Sequence, residues 1–155
     1  MIKETTVDHK DKLLSTIQAS GQFDADGLEH FRHTLEEHLS DPGGALWFTA
    51  FEGDPVGVAY CIPEPVSVGT WTLLMLWVED GLEEKGVGLA LVARIERELL
   101  EMGARLLVVE TSGTGDFDFA RSFYEKSGFQ LEATLRDFFD VDDDKLIYIK
   151  PVKRR

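Results

Sequence analysis

At 155 residues the chain has the length of one domain, residues 1–155, and 43% hydrophobic with 29% charged residues is enough for a buried core and too apolar for disorder. The formal net charge of −13 sets up a field that repels nucleic acid and anionic membranes and attracts cations. The longest apolar run, Leu73 to Val78, is far below the ~20 residues of a membrane span, and the single cysteine, Cys61, excludes a disulfide framework and a cysteine-based zinc site.

Met1-Ile2-Lys3-Glu4 opens into mixed polar sequence with no apolar segment before a cleavage site, so a cytoplasmic protein with no membrane partner is expected. A short strand at Ile2 to Thr6 precedes a helix that starts near Asp8, where Leu13, Leu14 and Ile17 recur at helical spacing. A second helix runs from Asp24 or Asp26 to about Leu39, with Leu28, Phe31, Leu35 and Leu39 on one face, and Asp41-Pro42-Gly43-Gly44 stops it. Ala45 to Phe51 and Val56 to Ile62 flank the turn signal Glu52-Gly53-Asp54-Pro55 and predict a hairpin. Val66 to Val78 reads as a third, long strand.

Gly86 to Met102 is the clearest helix, with Val87, Leu91, Ile95, Leu99 and Met102 as one apolar stripe and Gly103 as its cap. Leu106 to Glu110 has the continuous apolar pattern of a strand buried on both faces. A helix from Asp118 to Ser127 ends at Gly128, and two strands, Phe129 to Phe139 and Lys145 to Val152, flank the acidic turn Asp142-Asp143-Asp144. The order is βααβββαβαββ, a mixed α/β domain. Lys153-Arg154-Arg155 reads as a frayed basic end.

Gly86-Val87-Gly88 lies where a strand has ended and a helix begins. Glycines there let backbone approach a ligand, and the unpaired N–H groups of a helix start face outward as anion donors, which suits a pyrophosphate. A plain tight turn is the other reading of the same residues. The P-loop pattern is absent, and a dinucleotide fold would need a glycine where Leu91 stands.

Ala120-Arg121-Ser122-Phe123-Tyr124-Glu125-Lys126-Ser127-Gly128-Phe129 resembles the Ala-x-x-x-Tyr-x-x-x-Gly-Phe signature of the GNAT superfamily of acyl-CoA N-acyltransferases. The Gly86-Val87-Gly88 loop then resembles the family's Gln/Arg-x-x-Gly-x-Gly/Ala coenzyme A loop, and the element order agrees over nearly the whole chain. Glu83 and Glu84 depart from that pattern, whereas Lys85 keeps it. Two carboxylates near a pyrophosphate are unfavourable unless their side chains turn away, a situation that a site built from peptide N–H groups tolerates.

The resemblance implies a mainly antiparallel central sheet with splayed central strands and flanking helices. It implies acetyl-coenzyme A as co-substrate and no metal, with the acetyl group moved to a primary amine by direct attack in a ternary complex. Leu76 and Val78 would pair with the pantetheine amides, and Lys85, Gly86, Val87, Gly88 and Leu89 would hold the pyrophosphate. Tyr124 is implied as the acid for the leaving thiolate. For the base, Glu110 and then Glu79 are the carboxylates at strand ends, because the long strand offers only Thr70 and Thr72.

His9, His30, His33 and His38 are expected at the surface, with His33 the one able to face a substrate cleft, and Cys61 reads as a small core residue. Trp47, Trp71 and Trp77 read as core aromatics. The acceptor, a small-molecule or peptide amine, is expected to be cationic, since Asp137, Asp140, Asp142, Asp143 and Asp144 crowd the final hairpin. Assembly is left open to a homodimer. A non-catalytic acyl-CoA-binding sensor and a plain interaction domain are the alternatives.

Overall fold

A computed structural model of the chain describes residues 1–153; Arg154 and Arg155 of the basic end lie outside them. The elements run β1 (Ile2–Glu4), α1 (Lys10–Ser20), α2 (Ala25–Ser40), β2 (Leu46–Glu52), β3 (Asp54–Pro63), β4 (Thr70–Val78), α3 (Val87–Glu101), β5 (Leu106–Ser112), α4 (Asp118–Lys126), β6 (Gln130–Asp140) and β7 (Asp143–Pro151). The strands are hydrogen-bonded in the order β1-β2-β3-β4-β5-β7-β6. β4 and β5 are parallel, whereas β1–β2, β2–β3, β5–β7 and β6–β7 are antiparallel. This is the expected mixed α/β fold with a mostly antiparallel sheet. The chain divides into two compact units, one of residues 1–61 and 75–95, the other of residues 62–74 and 96–155.

In the first unit, α2 starts where the Asp24 carboxylate accepts the Gly27 N–H at 2.6 Å, satisfying one orphan donor of the first turn. Its apolar face brings Phe31 and Leu35 against Leu13 and Ile17 of α1, Trp47 of β2, Val58 of β3 and Trp77 of β4, all buried. Each such side chain contributes roughly 1.5–3 kcal/mol by leaving water. The β2–β3 hairpin forms around Gly53, which takes φ +77°, with Glu52 already paired to Asp54. In α3, Leu91, Ile95 and Leu99 are sealed as expected, but Met102 is 53% exposed, because the helix ends at Glu101.

The second unit contains the first half of β4 with β5, β7 and β6. Leu107 and Val109 of β5 are buried and alternate with half-buried Leu106 and Val108. The expected burial on both faces of β5 is therefore only partial. Val66 and Val68 do not extend β4; both are exposed, and Gly69 turns the chain at φ +84° before Thr70. All three tryptophans and Cys61 are buried, and burial pushes the Cys61 thiol up to about 12, which leaves it an inert core group.

His38 departs from its expected surface position. It follows Phe31 and Leu35 on the buried face of α2, is 7% exposed, and packs against Trp47 and Tyr60 at ring distances of 5.6 and 5.5 Å. Its Nδ1 is sealed without a partner. Burial lowers the proton affinity of the ring, and the charge of Glu4 offsets this only in part. The unfolded chain therefore binds the proton first, and stability held above the ordinary histidine value is lost as pH falls through 6.5 toward the folded value. The melting temperature is expected to drop between pH 7 and 5.5, and His38→Phe should flatten that drop in a thermal melt series. A slope unchanged in the variant would place the acid sensitivity elsewhere.

Candidate active site

The start of α3 is set by close packing within the first unit. A Cβ at Gly57 would meet Leu91 Cδ1, Val87 Cγ1 and the Trp77 carbonyl oxygen, each at 3.0 Å, so only glycine lets the helix approach β3 and β4 this closely. The connection from β4 turns at Gly81 (φ +86°) and passes through a 3-10 turn at Glu83–Lys85 and Gly86 (φ +80°) into Val87. A Cβ at Gly86 would meet nothing within 4 Å, but its left-handed backbone still favours glycine.

The Ala90 N–H donates to the Gly86 carbonyl at 2.9 Å. The amides of Val87, Gly88 and Leu89 therefore form the helix's first turn and have no intrahelical acceptor. The Glu83 carboxylate, unexpected in such a loop, is turned upstream, where it accepts the Gly81 N–H at 2.8 Å. Glu84 is exposed. Lys85 spends its own amide on the Leu82 carbonyl at 3.1 Å, which leaves its ammonium as the group able to meet an anion.

Two side-chain contacts tie this connection to the α1–α2 turn. The Trp77 indole Nε1–H donates to Gln22 Oε1 at 2.8 Å, and Gln22 Nε2–H donates to Asp80 Oδ1 at 3.0 Å. Leu76 and Val78, both half-buried, belong to the last part of β4. The β4–β5 ladder runs only from Thr70↔Leu106 to Leu73↔Val109, although β4 continues to Val78 and β5 to Ser112.

In the second unit, α4 presents Tyr124 to the sheet. Its ring packs against Phe123, Phe129 and Tyr148 at 5.6, 5.6 and 6.3 Å, and it is 9% exposed. Burial pushes its phenol up to about 12, and its hydroxyl has no hydrogen-bond partner among the described residues. The helix is anchored by Arg121, whose guanidinium donates to the Ser112 and Thr114 carbonyls at 2.8 and 2.7 Å. At its other end Gly128 takes φ +93°, and Lys150 donates to the Ser127 carbonyl at 2.6 Å while pairing with Glu96.

Register fixes the face of each strand residue. Tyr148, which touches Tyr124, pairs with Val109, whereas Glu110 pairs with Ile147, so Glu110 projects from the face opposite α4. There its carboxylate meets Lys145 Nζ at 2.9 Å, and Lys145 also lies 4.2 Å over the Phe138 ring. Thr72 pairs with Val108, which puts it on the Glu110 face, and its hydroxyl donates to Glu64 Oε1 at 2.5 Å. Glu64 is thus a second carboxylate on that face which the sequence reading did not single out. Glu79 is half-buried at the end of β4 and donates its N–H to the Val56 carbonyl.

The acidic hairpin organises its own tip. Asp137 and Asp142 take φ of 54° and 60°; the Asp137 N–H donates to Asp144 and the Asp142 N–H to Asp137, at 3.0 and 2.9 Å. His33, expected as a candidate for a cleft, forms an exposed pair with Glu37 on α2. Among the described residues no cluster of histidine, cysteine and carboxylate side chains is placed to hold a metal, and no helix is long and apolar enough to cross a membrane. The first unit thus carries all seven of the residues expected to bind cofactor, and the second carries Tyr124 and Glu110.

Compared with known proteins, residues 13–129 match the acetyltransferase (GNAT) family. The structure is similar, with a TM-score of 0.89 and 28% identity over 99% of both chains, to a crystal structure assigned to the GNAT acetyltransferases from Desulfovibrio desulfuricans. An aminoglycoside 6'-N-acetyltransferase complexed with coenzyme A gives a TM-score of 0.78 at 20% identity over 100% of this chain and 98% of that one. The ribosomal-protein-S18-alanine N-acetyltransferase from Escherichia coli gives 0.75 at 19% identity, over 100% and 95%. These last two likenesses speak to the fold. No curated protein matches the chain in sequence.

Proposed function

The chain belongs to the GNAT acetyltransferase family, and from that premise we propose that it transfers an acetyl group from acetyl-coenzyme A to a primary amine by direct attack in a ternary complex. The observation that carries this reading is the run of unpaired amides at Val87, Gly88 and Leu89, with the Glu83 carboxylate turned away from them. Such a helix start donates several charge-assisted hydrogen bonds to a pyrophosphate and adds the positive end of the helix dipole. Gly86 contributes the left-handed turn into α3, and Lys85 contributes its ammonium. The backbone of Leu76 and Val78 is proposed to pair with the pantetheine amides as an added strand, a role supported by the early end of the β4–β5 ladder.

Acetyl-coenzyme A would supply an activated thioester carbonyl and a thiolate leaving group. Tyr124 is assigned the proton for that sulfur. Its burial keeps the phenol protonated at every physiological pH, and its hydroxyl is not committed to another residue. The same desolvation raises the proton affinity of a thiolate formed beside it, which narrows the difference from an ordinary thiol near 8.5.

The acceptor poses the opposite demand, because an alkylamine of ordinary pKa ~10.4 is only ~0.1% neutral near pH 7.4. Glu110 is proposed to hold the ammonium and to pass its proton to water. It lies on the sheet face opposite α4. A sensor that binds the cofactor without turnover would not need an uncommitted phenol, which favours the enzyme.

We propose further that the acceptor is cationic. The hairpin carboxylates of Asp144 and Asp137 accept from the backbone of Asp137 and Asp142, in a chain of net −13. The test is thiol release from acetyl-coenzyme A over a panel of amines at rising salt. Cationic amines are expected to be preferred, with kcat/KM falling as the Debye length shrinks from ~10 Å at 0.1 M to ~3 Å at 1 M. No release with any amine, despite cofactor binding, would replace the enzyme reading with the sensor. A preferred anionic acceptor would remove the steering argument alone.

A further inference from the structure

The connection that leads into the α3 start has few attachments. It is bracketed by Gly81 and Gly86, both left-handed and both with open space around the missing Cβ, and is tied upstream by the Leu82 N–H to the Glu79 carbonyl at 3.1 Å. Its side-chain ties are local, as with Glu83 to the Gly81 amide, except for one. Gln22, on the turn between α1 and α2, reaches across 58 residues of sequence to Asp80 and across 55 to Trp77.

The two bonds use opposite ends of one amide. The carbonyl oxygen accepts from the buried indole of Trp77, which fixes which way the amide points, and the NH2 group then faces Asp80. Trp77 itself belongs to the core cluster with Leu13, Ile17 and Phe31, so the amide is oriented by a rigid part of the fold. The α1–α2 turn leaves α1 at Gly21, a left-handed cap (φ +68°) with nothing within 4 Å of its missing Cβ.

We infer that Gln22 is a positioning residue that couples the α1–α2 turn to the coenzyme A loop. Ordering the loop around a pyrophosphate fixes Asp80, Asp80 holds the Gln22 amide, and the turn carrying Gln22 becomes ordered in step. By reciprocity a turn already held in place favours cofactor binding. The inference rests on the proposed binding of coenzyme A at Val87, Gly88 and Leu89.

The experiment is hydrogen–deuterium exchange on the full chain with and without coenzyme A, alongside calorimetric titration. In the natural protein, coenzyme A is expected to slow exchange both at 86–90 and at 21–24. Gln22→Leu keeps side-chain bulk and removes both bonds. It is expected to bind coenzyme A about three- to tenfold more weakly, with protection at 86–90 retained and protection at 21–24 lost. Gln22→Glu still accepts from Trp77 but sets a carboxylate against Asp80, so it should behave like Gln22→Leu. Asp80→Asn preserves an acceptor oxygen and should restore the natural pattern.

Gln22 is exposed, but Gln22→Leu leaves the indole N–H of buried Trp77 without its acceptor, so a thermal melt accompanies each titration and Gln22→Glu, which keeps that acceptor, isolates the bond to Asp80. Protection at 21–24 that persists in Gln22→Leu, or an unchanged affinity in that variant, overturns the coupling while the cofactor site stands. Absence of any coenzyme A binding to the natural protein overturns both.

Discussion

A Gly88→Val protein is expected to lose coenzyme A binding by at least a hundredfold while keeping a cooperative melt. Gly88 is the second residue of α3, and its amide is one of three that the helix leaves unpaired. Hydrogen bonds to a charged partner are worth about 1.5–3 kcal/mol each, so forfeiting two of them already exceeds a factor of a hundred. A β-branched side chain is tolerated by a helix, and helix propensity itself slightly favours Val over Gly. On the proposed placement of the pyrophosphate, the loss comes from bulk set between the phosphate and the backbone.

Gly88 is buried, so the melt has to accompany the titration. Gly86→Ala separates the two ways in which a glycine can matter. There a methyl meets nothing within 4 Å, but φ +80° costs an L-residue about 1–2 kcal/mol, so stability should fall while the amides stay reachable. Titration of Gly88→Val with unchanged affinity would remove the loop assignment, and with it the placement of the pyrophosphate on α3.

The elements legible in the sequence were those whose side chains report on their immediate neighbours. The α3 stripe was visible because Leu91, Ile95 and Leu99 recur every four residues and all three are sealed. Met102 continued the stripe one residue past Glu101, where the helix ends, and it is exposed. Val66 and Val68 have the composition of a strand, yet the turn at Gly69 separates them from β4. His38 was legible in principle, since it stands three residues after Leu35 on the face that begins with Phe31; the polarity of the ring obscured the periodicity.

The candidate site divides the same way. Gly86 and Gly88 are candidates in the sequence because a glycine-rich strand-to-helix loop is a local pattern, and Tyr124 because its motif spans one helix and one turn. The direction of the Glu83 side chain was not visible, because it depends on a bond to the Gly81 amide rather than on spacing. The reach of Gln22 to Asp80 and the approach of α3 to Gly57 join residues far apart in the chain, and only the fold specifies them.

Tyr124→Phe is expected to lower kcat by 10²- to 10⁴-fold, the range for loss of a general acid, while coenzyme A affinity stays within a factor of about three. The substitution removes one hydroxyl and leaves the ring, which packs against Phe129 and Tyr148. Because that hydroxyl has no hydrogen-bond partner among the described residues, its loss breaks no structural bond, and the melting temperature should hardly move. A fall in turnover with an unchanged melt would therefore be a chemical effect. The pH profile gives a second check. With the phenol pushed up to about 12, the natural protein should show no alkaline loss of kcat from this group below about pH 10. Turnover must be measured at saturating acceptor under conditions where chemistry limits the rate, since a slow release step would hide the change. Equal turnover of the two proteins under those conditions would mean that water, and not Tyr124, protonates the thiolate, and the phenol would then be a packing residue of the α4 core.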